Sequence, residues 1–535
     1  MKVFTNVQEI QSTPDFYQGD TPVALTAPLI VHGRALVGLY GAATVGHACI
    51  DVSLTEFEAL KAFLYEPQTF RLAAHGIQRI WRNLNLGSLE TNTHLILDTE
   101  LMAHLLNSGG DETDYALSHL VHEYLQEDYP VWTQEIADRP YPQVMHEILA
   151  WDAYLIYQTA YVLNEQIHAA DPDLAFVYTY GELPLVAISL DMSRTGIGVD
   201  RLKAAEVYAA AQSKSDALYN EITGGEEVNL WRDDEVNKLW RRRRAPDYPL
   251  LARIREWRDL QTDLQFLWVA ARASRVHPEW NIRTKTSRIY ARNPAVQNVS
   301  KETYRPLLIP SHGCTFLKAD YKQLQMRLLA NMSQDPELIK AFDEGKDVHW
   351  LTVEMCGIQG ATDKERRDIA KEVNYGILFQ MTAQGLAKKL GTDVTTAQQY
   401  INAFWARYSV AKDWLESKVA HLKKKPLVNP YVQSHLGRRR KFDGPITVRE
   451  IRRAKATILQ QSEAEVLRMA LMNLVGSLRR RKMKSRVVMI LHDAIWVEAL
   501  EEEADEAKRL LELAMTGAVE YPLVPLEVDF QEFDA

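Results

Sequence analysis

Val487-Val488-Met489-Ile490-Leu491-His492-Asp493-Ala494-Ile495-Trp496-Val497-Glu498 is the stretch on which the fold turns. Two apolar segments flank a polar break at His492-Asp493, the pattern of a hairpin with a carboxylate at its tip. A second segment, Cys314-Thr315-Phe316-Leu317-Lys318-Ala319-Asp320-Tyr321, also ends in an acid. It leads into a helix marked by Leu324, Leu328 and Leu329. If the two strands are neighbours, Asp320 and Asp493 can share two hard, oxygen-seeking cations about 3.5–4 Å apart. One cation would sharpen an attacking hydroxyl; the other would hold phosphates and neutralise the leaving group. The plainer alternative is that each aspartate only caps a turn.

Between these segments lies a basic helix. Thr362-Asp363-Lys364-Glu365 fits a capping box, so the helix is expected to begin there. Arg367, Lys371, Tyr375 and Phe379 recur every fourth residue and share one face. Two cations followed by an aromatic ring suit a triphosphate and the sugar and base beside it. The alternative is an exposed basic face with a buried tyrosine. Gly376, directly after Tyr375, permits a close approach in mid-helix.

At 535 residues the chain is expected to fold as roughly three or four units. Its 46% hydrophobic and 25% charged residues describe a globular protein rather than a disordered or fibrous one. No apolar run reaches the roughly 18 residues needed to span a bilayer. The start, Met1-Lys2-Val3-Phe4-Thr5-Asn6, lacks a signal core, so a cytoplasmic protein is expected. Cys49, Cys314 and Cys356 are too scattered for a disulfide framework or a zinc site and are expected to be small buried residues. The net charge of −9 argues weakly against nucleic-acid binding, yet binding depends on local patches. Basic runs occur at 241–244, 423–425, 438–441 and 479–486, each of which alone could be a solvated face.

To about residue 170 the chain mixes strands (29–40, 47–52) with helices (55–65, 115–124). Residues 183–274 read as helix-rich, and 280–294 as extended. A helical block covers 335–425, and a helix from Val448 to about Leu478 is interrupted by Gln460 and Gln461. Internal repeats and low-complexity tracts are absent from the sequence.

Asp320-Tyr321-Lys322-Gln323-Leu324-Gln325-Met326-Arg327 resembles the first polymerase motif of the DNA polymerase I family (family A). The segment from Arg367 through Lys371 and Tyr375 to Gly376 resembles its second, and His492-Asp493 its third. Thr286-Ser287-Arg288 with Asn293-Pro294-Ala295-Val296-Gln297-Asn298 looks like the family's primer-template grip. Asp347-Val348-His349, Gly437-Arg438-Arg439-Arg440 and Gln460 match in the same order. The resemblance runs from about residue 180 to the C-terminus.

The fold class implied is α/β multidomain: a right-hand polymerase of palm, fingers and thumb, preceded by an RNase H-like exonuclease-type α/β domain. The implied boundaries are 1–175 for the exonuclease-like domain, 176–280 for the thumb and linker, 281–335 and 427–535 for the palm, and 336–426 for the fingers. The resemblance implies template-directed DNA synthesis from deoxynucleoside triphosphates on primer-template DNA, with two Mg²⁺ ions for which Mn²⁺ can substitute. Asp320, Asp493 and the Tyr321 carbonyl would hold the metals. Arg367, Lys371 and His349 would bind the triphosphate, with Lys371 also the general acid for pyrophosphate. Tyr375, Gln323 and Gln325 complete the implied nucleotide site. Arg288, Gln297, Asn298, Gln460, His492 and Arg438 would contact DNA, reading duplex shape rather than sequence. A monomer is expected, with replisome proteins as further partners. Compact length, the absence of a 5′-nuclease region and a short thumb resemble phage replication enzymes, which would work in the host cytoplasm. A gap-filling or lesion-tolerant polymerase is the nearest alternative; a catalytically silent DNA-binding scaffold is the alternative of another class.

Departures from the pattern matter. Gln325 stands where the family usually has Glu, a residue that crowds the sugar 2′ position; near-equal volume keeps ribonucleotide exclusion as the expectation. Phe379-Gln380 replaces the usual Tyr-Gly, and Ala494 the usual Glu. In the N-terminal region, Leu25-Thr26-Ala27 and Arg79 occupy places where family relatives with 3′–5′ exonuclease activity carry metal-binding acids, and Asp152 looks like a surviving one. Asp98 and Glu100, in Leu97-Asp98-Thr99-Glu100, imitate the family's first exonuclease motif and with Asp152 form a candidate relic metal site. An inactive exonuclease-like domain is expected from the missing carboxylates, since two cations cannot be held without them.

Tyr375 occupies a site that is often Phe in the family, and a phenol there resembles the members that accept dideoxynucleotides readily, because its hydroxyl can replace a missing sugar 3′-hydroxyl. Efficient dideoxynucleotide termination is therefore expected; competitive primer extension with dideoxy- and deoxynucleotides measures it, and Tyr375→Phe should restore discrimination by more than tenfold, roughly 1.4 kcal/mol or more.

Overall fold

The computed structural model describes residues 1–13, 22–32, 34–42, 45–65, 71–84, 86, 96–110, 112–129, 143–170, 172–242, 248–300, 303–424, 430–442 and 445–531. Parts of the basic runs at 241–244 and 423–425 lie outside these residues.

The first unit is a seven-stranded sheet. Its strands are β1 (Lys2–Phe4), β2 (Pro22–Leu25), β3 (Leu29–Val31), β4 (Arg34–Gly41), β5 (Gly46–Ser53), β6 (Arg71–Ala74) and β7 (Ile96–Asp98). They lie in the order β1-β5-β4-β2-β6-β7, with β3 paired to β4. β2, β6 and β7 run parallel, whereas β4 is antiparallel to both β2 and β5. The 28-residue helix Gln143–Ala170 packs across β4 and β5. Gly38 makes that approach possible: a Cβ there would lie 1.7 Å from the Leu149 carbonyl oxygen. The single helix expected over 115–124 is instead three short turns, Glu112–Tyr115, Leu117–Leu120 and Val121–Leu125. The chain tightens and then widens there, ending at Gln126 with φ +58°.

Two long helices, Arg201–Thr223 and Tyr248–Ala270, pair into an arm with its own small core of Leu218, Ile222, Leu239 and Ile254. The Leu324–Ser333, Val348–Cys356, Asp363–Leu378 and Val394–Arg407 helices belong to a separate helical block built around Leu329, Val373 and Phe404. Between these lies a four-stranded antiparallel sheet whose strand order is Arg486–Leu491, Ala494–Leu500, Cys314–Tyr321, Val528–Gln531. The helix Val448–Arg480 packs behind it, burying Leu467, Leu471 and Leu474. The expected α/β multidomain architecture is thus observed.

The first unit is joined to the rest by one continuous apolar core. Polar seams reinforce the junction: Gln461 Nε2 donates to Ser108 Oγ at 2.6 Å, and Gln78 Nε2 to the Trp280 carbonyl at 2.8 Å. The most demanding seam is ionic. Glu182 is fully enclosed and pairs with both Arg438 and Arg468, the latter at 2.6 Å. Arg468 also donates to the carbonyls of Ile282 and of Ser287, the second at 2.8 Å. Arg438, expected on DNA, is therefore corrected to a structural residue; it is wholly buried and neutralised by Glu182. Among the described residues no helix is long and apolar enough to cross a membrane. The cysteines are all free, Cys49 buried and the other two half-buried.

Burial alone would raise the Glu182 carboxyl, but Arg438 and Arg468 hold it down to about 2. A depressed carboxyl contributes stability above its ordinary pKa and loses it as pH falls from about 4.5 towards 2. Unfolding titrations should show that loss in the wild type and its absence in Glu182→Gln, which should cost about 3–5 kcal/mol at neutral pH by stranding two buried guanidinium groups.

Candidate active site

Strand register brings the two aspartates together. In the antiparallel pairing of Cys314–Tyr321 with Ala494–Leu500, Asp320 stands opposite Ala494, so Asp493 is next to it across the ladder. A two-residue turn, with His492 in a left-handed conformation at φ +57°, projects Asp493 from the sheet end. Burial raises the Asp493 carboxyl well above the ordinary range, and the negative charges of Asp320 and Glu463 add to the effect. Asp320 and Asp493 are also within hydrogen-bonding reach of one another. Carboxylates so crowded are compensated by a proton or by cations. Tyr321 adds only its main chain, because its phenol points into the core and donates to the Met515 carbonyl at 2.7 Å. The donor set of two carboxylates and a carbonyl fits hard, oxygen-seeking divalent ions. Among the described residues, here or elsewhere, no group of three or more His, Cys, Asp or Glu side chains is arranged to hold a metal.

These residues floor a cleft of about 780 Å³. The helix Asp363–Leu378 forms its wall, capped by Thr362, whose side chain accepts from the Glu365 N–H. The capping box closes one residue early: the Glu365 carboxylate takes the Ala361 N–H at 2.7 Å rather than that of Thr362. Arg367, Lys371, Tyr375 and Phe379 all line the cleft, as the four-residue spacing requires. The Tyr375 and Phe379 rings stack with centroids 6.4 Å apart. Arg367 Nε donates to Asp347 at 2.6 Å, and Asp347 also caps the Val348–Cys356 helix. His349 Nδ1 faces Asn374 Nδ2 at 2.9 Å. With Asn374 donating, the imidazole proton sits on Nε2. Burial, aided by Arg367 and Lys371 and opposed by Asp347, pushes its pKa down to about 4, so the ring is neutral at pH 7.

Gln323 and Gln325 line the same cleft. Gln323 Oε1 accepts from the Val348 N–H at 3.2 Å, fixing the start of that helix. Gln325 Nε2 donates to Glu463 at 2.7 Å. Glu463, which the motif reading missed, also receives Arg288 through both oxygens at 3.0 and 3.1 Å. Its only sequence signal is the polar run Gln460-Gln461-Ser462-Glu463 in an otherwise apolar helix. Asp347 and Asn374, which orient Arg367 and His349, were equally unmarked as partners. His492 and Arg288 reach the cleft, but Gln297, Asn298 and Gln460 do not. Gln297 spends its amide on three main-chain groups, those of Ile289, Ala291 and Ile490, whereas Asn298 is exposed. Gln460 lies in a neighbouring groove with Arg440, Arg449, Arg452 and Arg453.

Two expectations need correction. The neighbour that approaches Gly376 is protein: a Cβ there would lie 2.9 Å from Leu386 Cδ1. Asp98, Glu100 and Asp152 do not form a metal site. Asp98 is buried, caps the helix Thr99–Leu106 through the Leu101 N–H and also accepts from Ile77. Glu100 is taken by Arg79, Arg283 and His75. Asp152 sits on the long Gln143–Ala170 helix and accepts from the Tyr129 hydroxyl at 2.5 Å. Where acids were expected after β2, Leu25 is buried and Thr26 Oγ1 receives the Gly38 N–H at 2.8 Å.

Comparison with known proteins gives a consistent picture. The model of the family described as DNA polymerase family A matches residues 232–532. DNA polymerase I of Chloroflexus aurantiacus is 28% identical over 440 residues, 71% of this chain and 45% of the relative. That of Lactococcus lactis subsp. lactis is 30% identical over 395 residues, 65% of this chain and 44% of the relative. The chain spans about half the length of the curated relatives it matches. The solved POL domain of Pol1 from M. smegmatis, in complex with DNA primer-template and dNTP, superposes with a TM-score of 0.76 at 20% identity. That likeness covers 99% of this chain and 98% of the other, and shows a common fold.

Two outcomes follow from the geometry. Glu463→Ala strands Arg288 and Gln325 and should cost about 2–3 kcal/mol in denaturant unfolding. Gln380 closes the Asp363–Leu378 helix at φ +60°, with the Met381 N–H on the Gly376 carbonyl and its own on Ile377. Glycine normally takes that position, so Gln380→Gly should stabilise by about 0.5–1 kcal/mol in the same measurement.

Proposed function

Because the chain belongs to DNA polymerase family A, we propose that it is a DNA-directed DNA polymerase that adds deoxynucleotides to a primer 3′ end along a template. The observation that carries this reading is the placement of Asp320 and Asp493 side by side below the Arg367–Lys371–Tyr375 face. Family A polymerases use divalent metal ions, and here Asp320, Asp493 and the Tyr321 carbonyl would hold them. We favour two Mg²⁺, with Mn²⁺ able to substitute. When bound, such ions activate the primer hydroxyl and neutralise charge on the phosphates.

The chain's own residues do the rest. Arg367, held in place by Asp347, grips the triphosphate through its guanidinium N–H groups, and Lys371 adds a point charge on the same helix face. Neutral His349 donates a hydrogen bond from Nε2 to a phosphate oxygen without adding charge. Lys371, the exposed cation of the pair, delivers a proton to departing pyrophosphate. Tyr375 and Phe379 stack beside the sugar and base, and Arg288, buttressed by Glu463, lies near the primer end with His492. The template follows the groove of Arg440, Arg449, Arg452 and Gln460, whose cations meet phosphates. Gln325, tied to Glu463, crowds the sugar 2′ position.

In this reading palm is 281–335 with 427–535, fingers 336–426, thumb and linker 176–280, and 1–175 a brace without proofreading. Absence of proofreading is supported by Asp98 and Glu100 being consumed in a cap and in ion pairs. The partners are primer-template DNA and deoxynucleoside triphosphates, with replisome proteins in addition, and the working form is a monomer. A phage replication role in the host cytoplasm is part of the same proposal and rests on the sequence resemblance alone.

Primer extension should be Mg²⁺-dependent and should fall at least 10³-fold, about 4 kcal/mol, in Asp493→Ala. A wild type that binds primer-template without extending it would reject this function. A 3′-mismatched primer should stay intact with Mg²⁺ and no nucleotides, and Asp98→Ala should change nothing in that assay beyond stability.

A further inference from the structure

The helix Ala383–Leu390, capped by Thr382, packs against the cationic helix Asp363–Leu378. Gly376 admits Leu386, and one turn further along both helices Lys389 pairs with Glu372. Because Glu372 directly follows Lys371, this contact sets the Lys389 ammonium at the phosphate half of the cleft wall, away from Tyr375 and Phe379. Lys371, Glu372 and Lys389 all line the cleft of Asp320 and Asp493. The same three also line a second hollow, of about 580 Å³, so they stand at the boundary between the two. The other charged residues of that hollow are Lys364, Glu365 and Asp368, which offer an anion no net attraction. On the cleft side Lys389 joins Arg367 and Lys371 instead.

The three cations are held differently. Arg367 rests on Asp347 at 2.6 Å, and Lys371 lies over the Tyr375 ring with its ammonium 5.8 Å from the centroid. Lys389 rests on Glu372, and each side chain of that pair keeps 44% of its surface exposed. An ion pair so open to water is weak, whereas a bond from an ammonium to a phosphate oxygen is charge-assisted and strong. The flexible four-carbon stem of a lysine lets the ammonium move while the helix beneath it, fixed by Leu386, stays in place.

We propose that Lys389 is a third cation of the phosphate grip, parked on Glu372 and passed to the β- and γ-phosphates when a nucleotide binds. Glu372 is then a positioning residue, which acts through Lys389 and competes with the nucleotide for it. The identity of the ligand rests on the polymerase reading; the transfer of Lys389 between carboxylate and phosphate goes beyond it.

Calorimetric titration of dATP with Mg²⁺ and without primer-template, on the full chain, tests this with no chemistry taking place. Lys389→Ala should weaken binding about tenfold, the loss of one charge-assisted hydrogen bond, and Lys389→Arg should retain it. Glu372→Gln should act in the opposite direction, tightening binding about two- to fivefold, and the gain should vanish when Lys389→Ala is added. Binding of dAMP should be the same in wild type and Lys389→Ala, since the contact lies beyond the α-phosphate. In primer extension Lys389→Ala should raise the nucleotide KM with kcat near that of the wild type. Unchanged dATP binding in Lys389→Ala, weaker binding in Glu372→Gln, or no dATP binding by the wild type would overturn the inference. A wild type that extends primers while Lys389→Ala binds dATP normally rejects this inference alone. A wild type that binds dATP but extends no primer rejects the polymerase reading, and the titration still decides the role of Lys389.

Discussion

Like charges do not gather unaided, and the floor of the larger cleft exists because the backbone forces them to. The ladder between Cys314–Tyr321 and Ala494–Leu500 fixes Asp320 opposite Ala494, and the short turn before it delivers Asp493 to the same point. A slip of one residue would turn every side chain of the strand to the opposite face and bury Asp320. The register is held by Ala319, Ile495 and Val497, all without exposed surface, packed into the main core. Burial, and after it the enforced proximity of Asp320 and Glu463, raises the Asp493 carboxyl, and cations held there would relieve it.

The walls follow the same logic of fixed geometry. One helix displays its cations because they are four residues apart, while a second layer sets where each points. Asp347 aims Arg367, Asn374 fixes the His349 tautomer, and Glu463 joins Arg288 to Gln325. The partners come from other parts of the chain, so the site is a meeting of the sheet with the Val348–Cys356, Asp363–Leu378 and Val448–Arg480 helices. Loss of one partner leaves a charge in a place with little water to solvate it.

The first unit is bound to the rest of the chain by packing and by polar seams. Its sheet retains parallel β2, β6 and β7, yet at their ends stand Leu25, Arg79 and a capping Asp98. The junction is made by a shared core, the Gln461–Ser108 and Gln78–Trp280 seams, and Glu182 clamping Arg438 and Arg468.

Strand alternation around Asp320 and Asp493, the Thr362 cap and the four-residue stripe are local patterns, and the residues themselves carried them into the fold. The α/β class and the working end of the cleft were legible for that reason. The chain's own letters could not say that Arg438 is spent inside, since Glu182 lies 256 residues away. Nor could they show that Asp98 serves a helix end, that Gly376 admits Leu386, or that Glu463 reaches Arg288 across 175 residues. Periodicity is written along the chain because hydrogen-bonded elements repeat at 2 or 3.6 residues. The partner of a buried charge has no such period, and packing alone selects it.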